Sequence, residues 1–127
     1  MRFHHAGIAT EDADDLAHRY TDFLPVPIAH RETFDGIDVV FLDLGGSYFE
    51  LLEPRDGGAI ADYLDSHGPG IHHLALATDD VSAALDAARE AGVDPIDDEP
   101  RPGAWGHDVA FLHPGSTGGV LLEFVQV

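Results

Sequence analysis

The octapeptide FHHAGIAT, from Phe3 to Thr10, returns as IHHLALAT, from Ile71 to Thr78. This near-duplicate restricts the architecture more than any other feature of the chain. A histidine pair followed by alternating apolar residues reads as the head of a strand. What comes after each copy has the same order of patterns, which is the signature of an internal repeat.

After the first copy, Glu11 to Phe23 sets Leu16, Tyr20 and Phe23 on one helical face behind an acidic first turn. Strand patterns follow at Ile28 to Thr33, Asp38 to Leu44 and Ser47 to Glu53, the last two joined by Gly45-Gly46. A short helix is expected over Gly57 to His67, and HGPG, His67 to Gly70, reads as a linker. After the second copy, Asp79 to Ala91 sets Val81, Ala84, Leu85 and Ala88 on a helical face, with Gly92 as the stop. Strands are then expected at Val93 to Asp97, His107 to His113 and Val120 to Val127, with PGSTGG as the turn between the last two. The expected fold is therefore α+β, two tandem βαβββ modules. With 127 residues, 44% of them apolar, one ordinary core is available. The chain reads as a single domain over 1–127: module one about 1–56, a linker helix about 57–70, and module two about 71–127.

Composition removes several kinds of chemistry. There is no cysteine, so disulfides, thiolate nucleophiles and sulfur-ligated zinc are excluded. Asp and Glu number 24 against six Arg, with no Lys, and the formal net charge of −18 rules against nucleic acid as a partner. The acidic residues interrupt regular apolar patterns instead of forming blocks, so a folded protein adapted to concentrated salt is expected, not a disordered one. No apolar run approaches the roughly 18 residues of a membrane span or the core of a secretory signal. A cytoplasmic protein without a membrane partner is expected.

Aligning the halves pairs HAGIAT from His5 with HLALAT from His73, and FELLEP from Phe49 with LEFVQV from Leu122. Glu50 then stands opposite Glu123. Each module carries a histidine on its first strand and a glutamate on its last, the latter among Leu, Val and Phe. A carboxylate among apolar neighbours is costly unless it is paired or bound to metal. If first and last strands adjoin and the modules face each other, His5, Glu50, His73 and Glu123 form one ligand set of two imidazoles and two carboxylates. Such a set suits cobalt, manganese, nickel or zinc better than calcium. Strand alternation lets only one histidine of each pair enter the site, so His4 and His72 are read as packing residues. Glu53 is read as a strand-end surface carboxylate. His18, His30 and His67 are read as surface residues, and His107 and His113 as surface residues that could line the rim.

Taken together, HHAGIAT, FLDLGGSYFELLEP, GPGIHHLALATDDV and FLHPGSTGGVLLEFVQ resemble the vicinal oxygen chelate superfamily, and within it the methylmalonyl-CoA epimerases. The resemblance implies paired βαβββ modules around a divalent metal held by His5, Glu50, His73 and Glu123. It implies an isomerase that inverts the α-carbon of an acyl-CoA thioester by removing and returning a proton through a metal-stabilised enolate. Glu123 and Glu50 are then the expected acid/base residues. Some such epimerases use a separate glutamate on the third strand, where this chain has Val39. If Glu50 is only a ligand, Asp35, Asp38 or a bound water is left for the second face. The substrate handle is expected to need a cation, and RPGAWG, Arg101 to Gly106, is either a cleft loop or an ordinary surface turn. A homodimer is left open.

Two other functions fit the same residues. A lactoylglutathione lyase (glyoxalase) of the superfamily shares the ligand set, although a DPDG-like turn would be expected before its last strand. A metal-free binding module of the same fold is the reading from a different class. A ring-cleaving dioxygenase fits less well, because a fourth protein ligand would fill a position its iron needs open.

Overall fold

The computed structural model describes residues 1–127. They fall into two compact units, one of His5–His72 and one of Met1–His4 with His73–Val127. No helix is long and apolar enough to cross a membrane.

The first unit holds β1 (Arg2–Ala9, from His5 on), α1 (Ala13–Phe23), β2 (Ile28–Phe34), β3 (Ile37–Asp43), β4 (Tyr48–Pro54) and α2 (Ala59–His67). Its strands lie in the order β2-β3-β4-β1. β2, β3 and β4 run antiparallel, whereas β1 pairs with β4 in parallel, with Gly7 opposite Glu50. First and last strands of the module are thus neighbours. The period-2 alternation sends Ile8, Val40, Leu42 and Leu51 to one face, where they pack with Ala13 and Ala17 of α1. The other face is left for the functional side chains.

The second unit repeats this plan with β5 (Gly70–Thr78, from His73 on), α3 (Val81–Glu90), β6 (Arg101–Pro102), β7 (Asp108–Leu112) and β8 (Leu122–Gln126), in the order β5-β8-β7-β6. β5 and β8 are parallel, and β8, β7 and β6 antiparallel. Val81 and Leu85 of α3 pack on Ala110, Leu112 and Phe124. Leu85 is 1% exposed, and burying such a side chain contributes about 2 kcal/mol. Gly92 ends α3 with φ of 80°, a left-handed conformation that glycine adopts without strain.

The expected strand at Val93 to Asp97 does not form. Pro95 removes a ladder donor from its middle, and in place of a ladder the segment has the bridge from Pro95 to Leu112, bonds from Ile96 N–H and Asp97 N–H to Phe111 O and from His113 N–H to Asp94 O, and side-chain bonds through Asp97 and Ser116. The outer strand is instead the two-residue β6, at the start of the Arg101 to Gly106 loop.

The repeat extends to the helix caps. Asp12 and Asp80 are N-caps with nearly identical backbones, φ −151° and ψ 98° or 103°, accepting from the N–H of Asp15 and Ala83. The next exposed donor of each helix is met from the last strand of its module. Ala13 N–H donates to Glu53 Oε1 at 2.8 Å, and Val81 N–H donates to Gln126 Oε1 at 3.0 Å. Glu53 is therefore not a surface carboxylate. It is half-buried and bonded to the positive end of α1.

Candidate functional site

In the first unit, strand register decides which side chains share the face away from α1. His5 lies opposite Tyr48 on β4, and Glu50 follows two residues later on the same face. The His5 Nε2 and Glu50 Oε1 atoms are 3.3 Å apart, in residues that are 3% and 6% exposed. Desolvation at that depth is costly for a carboxylate, and the imidazole beside it is the compensating group that the sequence pattern called for. Phe41 lies opposite Glu50 on β3 and meets the His5 ring edge-on, with centroids 5.9 Å apart at 87°.

The second unit contains the same arrangement. Ala75 is opposite Glu123 in the β5–β8 pair, which puts His73 and Glu123 on one face. His73 Nε2 is 3.3 Å from Glu123 Oε1, and the residues are 5% and 7% exposed. Phe111, opposite Glu123 on β7, meets the His73 ring edge-on at 5.4 Å and 84°. Each module thus buries one histidine beside one glutamate, with a phenylalanine edge-on to the imidazole in equivalent position. Each pair offers nitrogen and oxygen donors only, the donor types that suit a borderline divalent cation.

The remaining histidines divide. His4 is buried, its ring edge-on to that of His107 at 5.9 Å, and His72 is half-buried against Tyr63 at 5.0 Å. His18 and His67 are exposed, His67 stacking on Tyr63, and His113 is exposed with Nε2 3.9 Å from Asp94. His30 is not a surface residue. It lies opposite Phe41, is half-buried against that ring at 6.2 Å, and has Nε2 3.4 Å from Glu32 Oε1.

That register also exposes a carboxylate the sequence reading passed over. Glu32 pairs with Val39, and Val39 with Leu52, so Glu32 shares the sheet face of His30, Phe41 and Glu50. Neither Asp35 nor Asp38 does. Asp35 is an exposed turn residue with φ of 52°, and Asp38 points to the opposite face, where Oδ1 accepts from Thr33 Oγ1 at 2.8 Å and lies 3.9 Å from Arg55. The bulge after Ile28 shifts the register of β2, so alternation counted from the start of that strand could not have assigned Glu32 its face.

In the Arg101 to Gly106 loop, Arg101 pairs with Val109 and so lies on the face of His73 and Phe111. Its guanidinium bonds Asp97 and covers the Phe111 ring. Trp105 takes a left-handed φ of 61°, a conformation that costs about 1 kcal/mol or more outside glycine.

The model of the Glyoxalase/Bleomycin resistance protein/Dioxygenase superfamily matches residues 4–111. The chain is 36% identical to an ethylmalonyl-CoA/methylmalonyl-CoA epimerase of Cereibacter sphaeroides, over 99% of this chain and 98% of that protein. Among solved structures, the methylmalonyl-CoA epimerase of Mycobacterium tuberculosis is 35% identical with a TM-score of 0.93, covering 98% of this chain and 87% of that one. A variant of the Streptomyces coelicolor methylmalonyl-CoA epimerase, in complex with 2-nitronate-propionyl-CoA, is 36% identical with a TM-score of 0.93, covering 99% and 94%.

Proposed function

Because the chain belongs to the Glyoxalase/Bleomycin resistance protein/Dioxygenase superfamily, we propose that it interconverts the (R) and (S) forms of methylmalonyl-CoA by moving the α-proton from one face of the carbon to the other. The observation that carries this reading is its end-to-end similarity to epimerases of that substrate, joined to a buried His–Glu pair in each module.

His5, Glu50, His73 and Glu123 would hold one divalent cation, of the cobalt, manganese, nickel or zinc type. When bound, such an ion supplies positive charge beside the thioester oxygen as negative charge builds there. Both pairs are buried, and in each the carboxylate lies 3.3 Å from the imidazole beside it, which limits the orientations open to either group.

The chain's own task is to move the proton. A carboxylate oxygen of Glu123 takes it from one face, and a carboxylate of the first module serves the other. Glu50 is one candidate for that second role, its carboxylate also serving as a ligand. Glu32 is the other: it shares the face of Glu50, and its side chain is 26% exposed against 8% for Glu50, which makes it the more accessible of the two to a substrate.

Turnover of (S)- and (R)-methylmalonyl-CoA, run beside the glutathione hemithioacetal of methylglyoxal, tests the assignment. Epimerisation with solvent deuterium entering the α-position is expected. Conversion of the hemithioacetal alone would make the chain a glyoxalase, and a protein with neither activity and no stoichiometric metal would be a binding module. Glu123→Gln is expected to abolish epimerisation. If Glu50→Gln keeps metal and rate while Glu32→Gln loses rate, Glu32 is the second base. The reverse result returns that role to Glu50.

A further inference from the structure

The two His–Phe contacts are equivalent in position but not in support. Phe41 is 2% exposed and enclosed by the rings of His5, His30 and Tyr48, at 5.9, 6.2 and 5.9 Å. Those neighbours restrain it on several sides. Phe111 is only half-buried, so its ring needs another restraint if it is to hold the edge of His73.

Asp97 supplies one. Its Oδ2 accepts from Phe111 N–H at 2.8 Å and its Oδ1 accepts from Arg101 Nε–H at 2.9 Å. The guanidinium carbon of Arg101 then lies 5.5 Å from the centroid of the Phe111 ring, closing the side that packing leaves open. The Asp97 side chain is 16% exposed, whereas most acidic side chains here are far more exposed. The segment is itself tied to α3, where Arg89 donates to the carbonyl of Asp98 and to Asp86 Oδ1. A carboxylate on an irregular segment thus fixes both the backbone and the ring of Phe111.

We propose that Asp97 is a positioning residue that, through Phe111 and Arg101, sets the orientation of the His73 imidazole. The module-one residues have no counterpart of this clamp because Phe41 is held by its neighbours. As a statement about ligand geometry the proposal rests on the metal reading above, but as a statement about ring orientation it does not.

The test uses the full chain as wild type, Asp97→Asn, Phe111→Leu and the double variant. Asparagine can still accept from Phe111 N–H, but its amide then faces Arg101 Nε–H donor to donor, releasing the guanidinium. Two quantities are read: the long-range nitrogen–proton spectrum of the His73 ring in metal-free protein, and cobalt affinity by competition with a chelator. Asp97→Asn is expected to move the His73 ring resonances and to weaken cobalt binding about tenfold, the scale of an outer-layer partner. Phe111→Leu is expected to do the same, and the double variant to be no worse than the weaker single, because both changes interrupt one path. A lowered melting temperature with unmoved His73 resonances and wild-type cobalt affinity would overturn the proposal, as would fully additive effects. Should Asp97→Asn not fold, Arg101→Met leaves the Phe111 N–H bond intact and must shift the same resonances in the same direction; no shift also overturns it. A wild-type protein that binds no cobalt would refute the metal reading and leave the ring spectrum to decide this one.

Discussion

Replacing Glu53 isolates how the last strand of a module supports its helix. The carboxylate accepts a 2.8 Å bond from Ala13 N–H, at the positive end of α1 and half-buried. Hydrogen bonds to charged groups contribute about 1.5–3 kcal/mol, and a negative charge at a helix N-terminus adds about 0.3–1 kcal/mol. Glu53→Ala removes both and leaves the donor with poor access to water, so a loss of about 2 kcal/mol is expected. Glu53→Gln keeps an acceptor and gives up the charge, reproducing what the second module does with Gln126 at 3.0 Å, and should cost about half as much. For a chain of this length 1 kcal/mol moves the melting temperature by roughly 4 °C, so drops of about 8 °C and 4 °C are expected. Each variant also removes one negative charge from a total of −18, which favours the folded state. Measuring in about 1 M KCl, where the Debye length is about 3 Å, suppresses that contribution. Equal losses for the two variants would mean that a neutral acceptor at this position contributes nothing and the charge everything, no loss for Glu53→Gln would mean the reverse, and a loss below about 0.5 kcal/mol for Glu53→Ala would refute the cap altogether.

Further outcomes follow from the same residues. His73→Ala leaves Glu123 buried without the imidazole 3.3 Å away; equilibrium dialysis should show the bound metal lost along with turnover, and full occupancy would overturn the ligand assignment. Raising KCl from dilute buffer to molar concentration should increase the melting temperature, since 24 acidic residues face only six arginines and screening weakens their repulsion; a flat response would contradict the salt-adapted reading. Gly103→Ala places a Cβ 2.7 Å and 2.9 Å from the methyl carbons of Val109, a core residue 4% exposed. It should cost about 1–3 kcal/mol by denaturant unfolding, and Val109→Ala in the same chain should restore part of that loss; no restoration would place the strain elsewhere.

The parts of this molecule that could be read from its sequence are those governed by local period. Alternation in HHAGIAT and HHLALAT placed one histidine of each pair on the buried face with the glutamate of the last strand, and helix spacing found α1 and α3, because these relations repeat within a few residues. The repeat carried the argument further by giving each module a check on the other. Glu53 and Gln126 aligned as well, yet a carboxylate beside a proline reads as a strand end unless the helix it caps, forty residues earlier in the chain, is already placed against it. Pro95 misled for a related reason: the apolar residues around it suggest a strand, while the missing N–H that prevents one matters only where a neighbouring strand would have used it.

Glu32 shows where such reasoning stops. Which face of a sheet a residue joins depends on period, which is local, and on register, which is not. β2 is an edge strand, and its bulge between Ile28 and His30 reverses the faces assigned by counting from the strand's start. Without that bulge, His30 and Glu32 would join the face of α1, and Arg31 and Thr33 would join Phe41 and Glu50. The single inserted residue therefore decides whether an arginine or a glutamate stands opposite Val39, on the sheet face of Glu50. The face of Glu50 receives a carboxylate from β2 only because the strand is irregular. Deleting Ala29 should accordingly abolish any contribution of Glu32 to turnover while leaving the His73–Glu123 pair in the second unit intact. Unchanged dependence on Glu32 after that deletion would show that the bulge does not set the face.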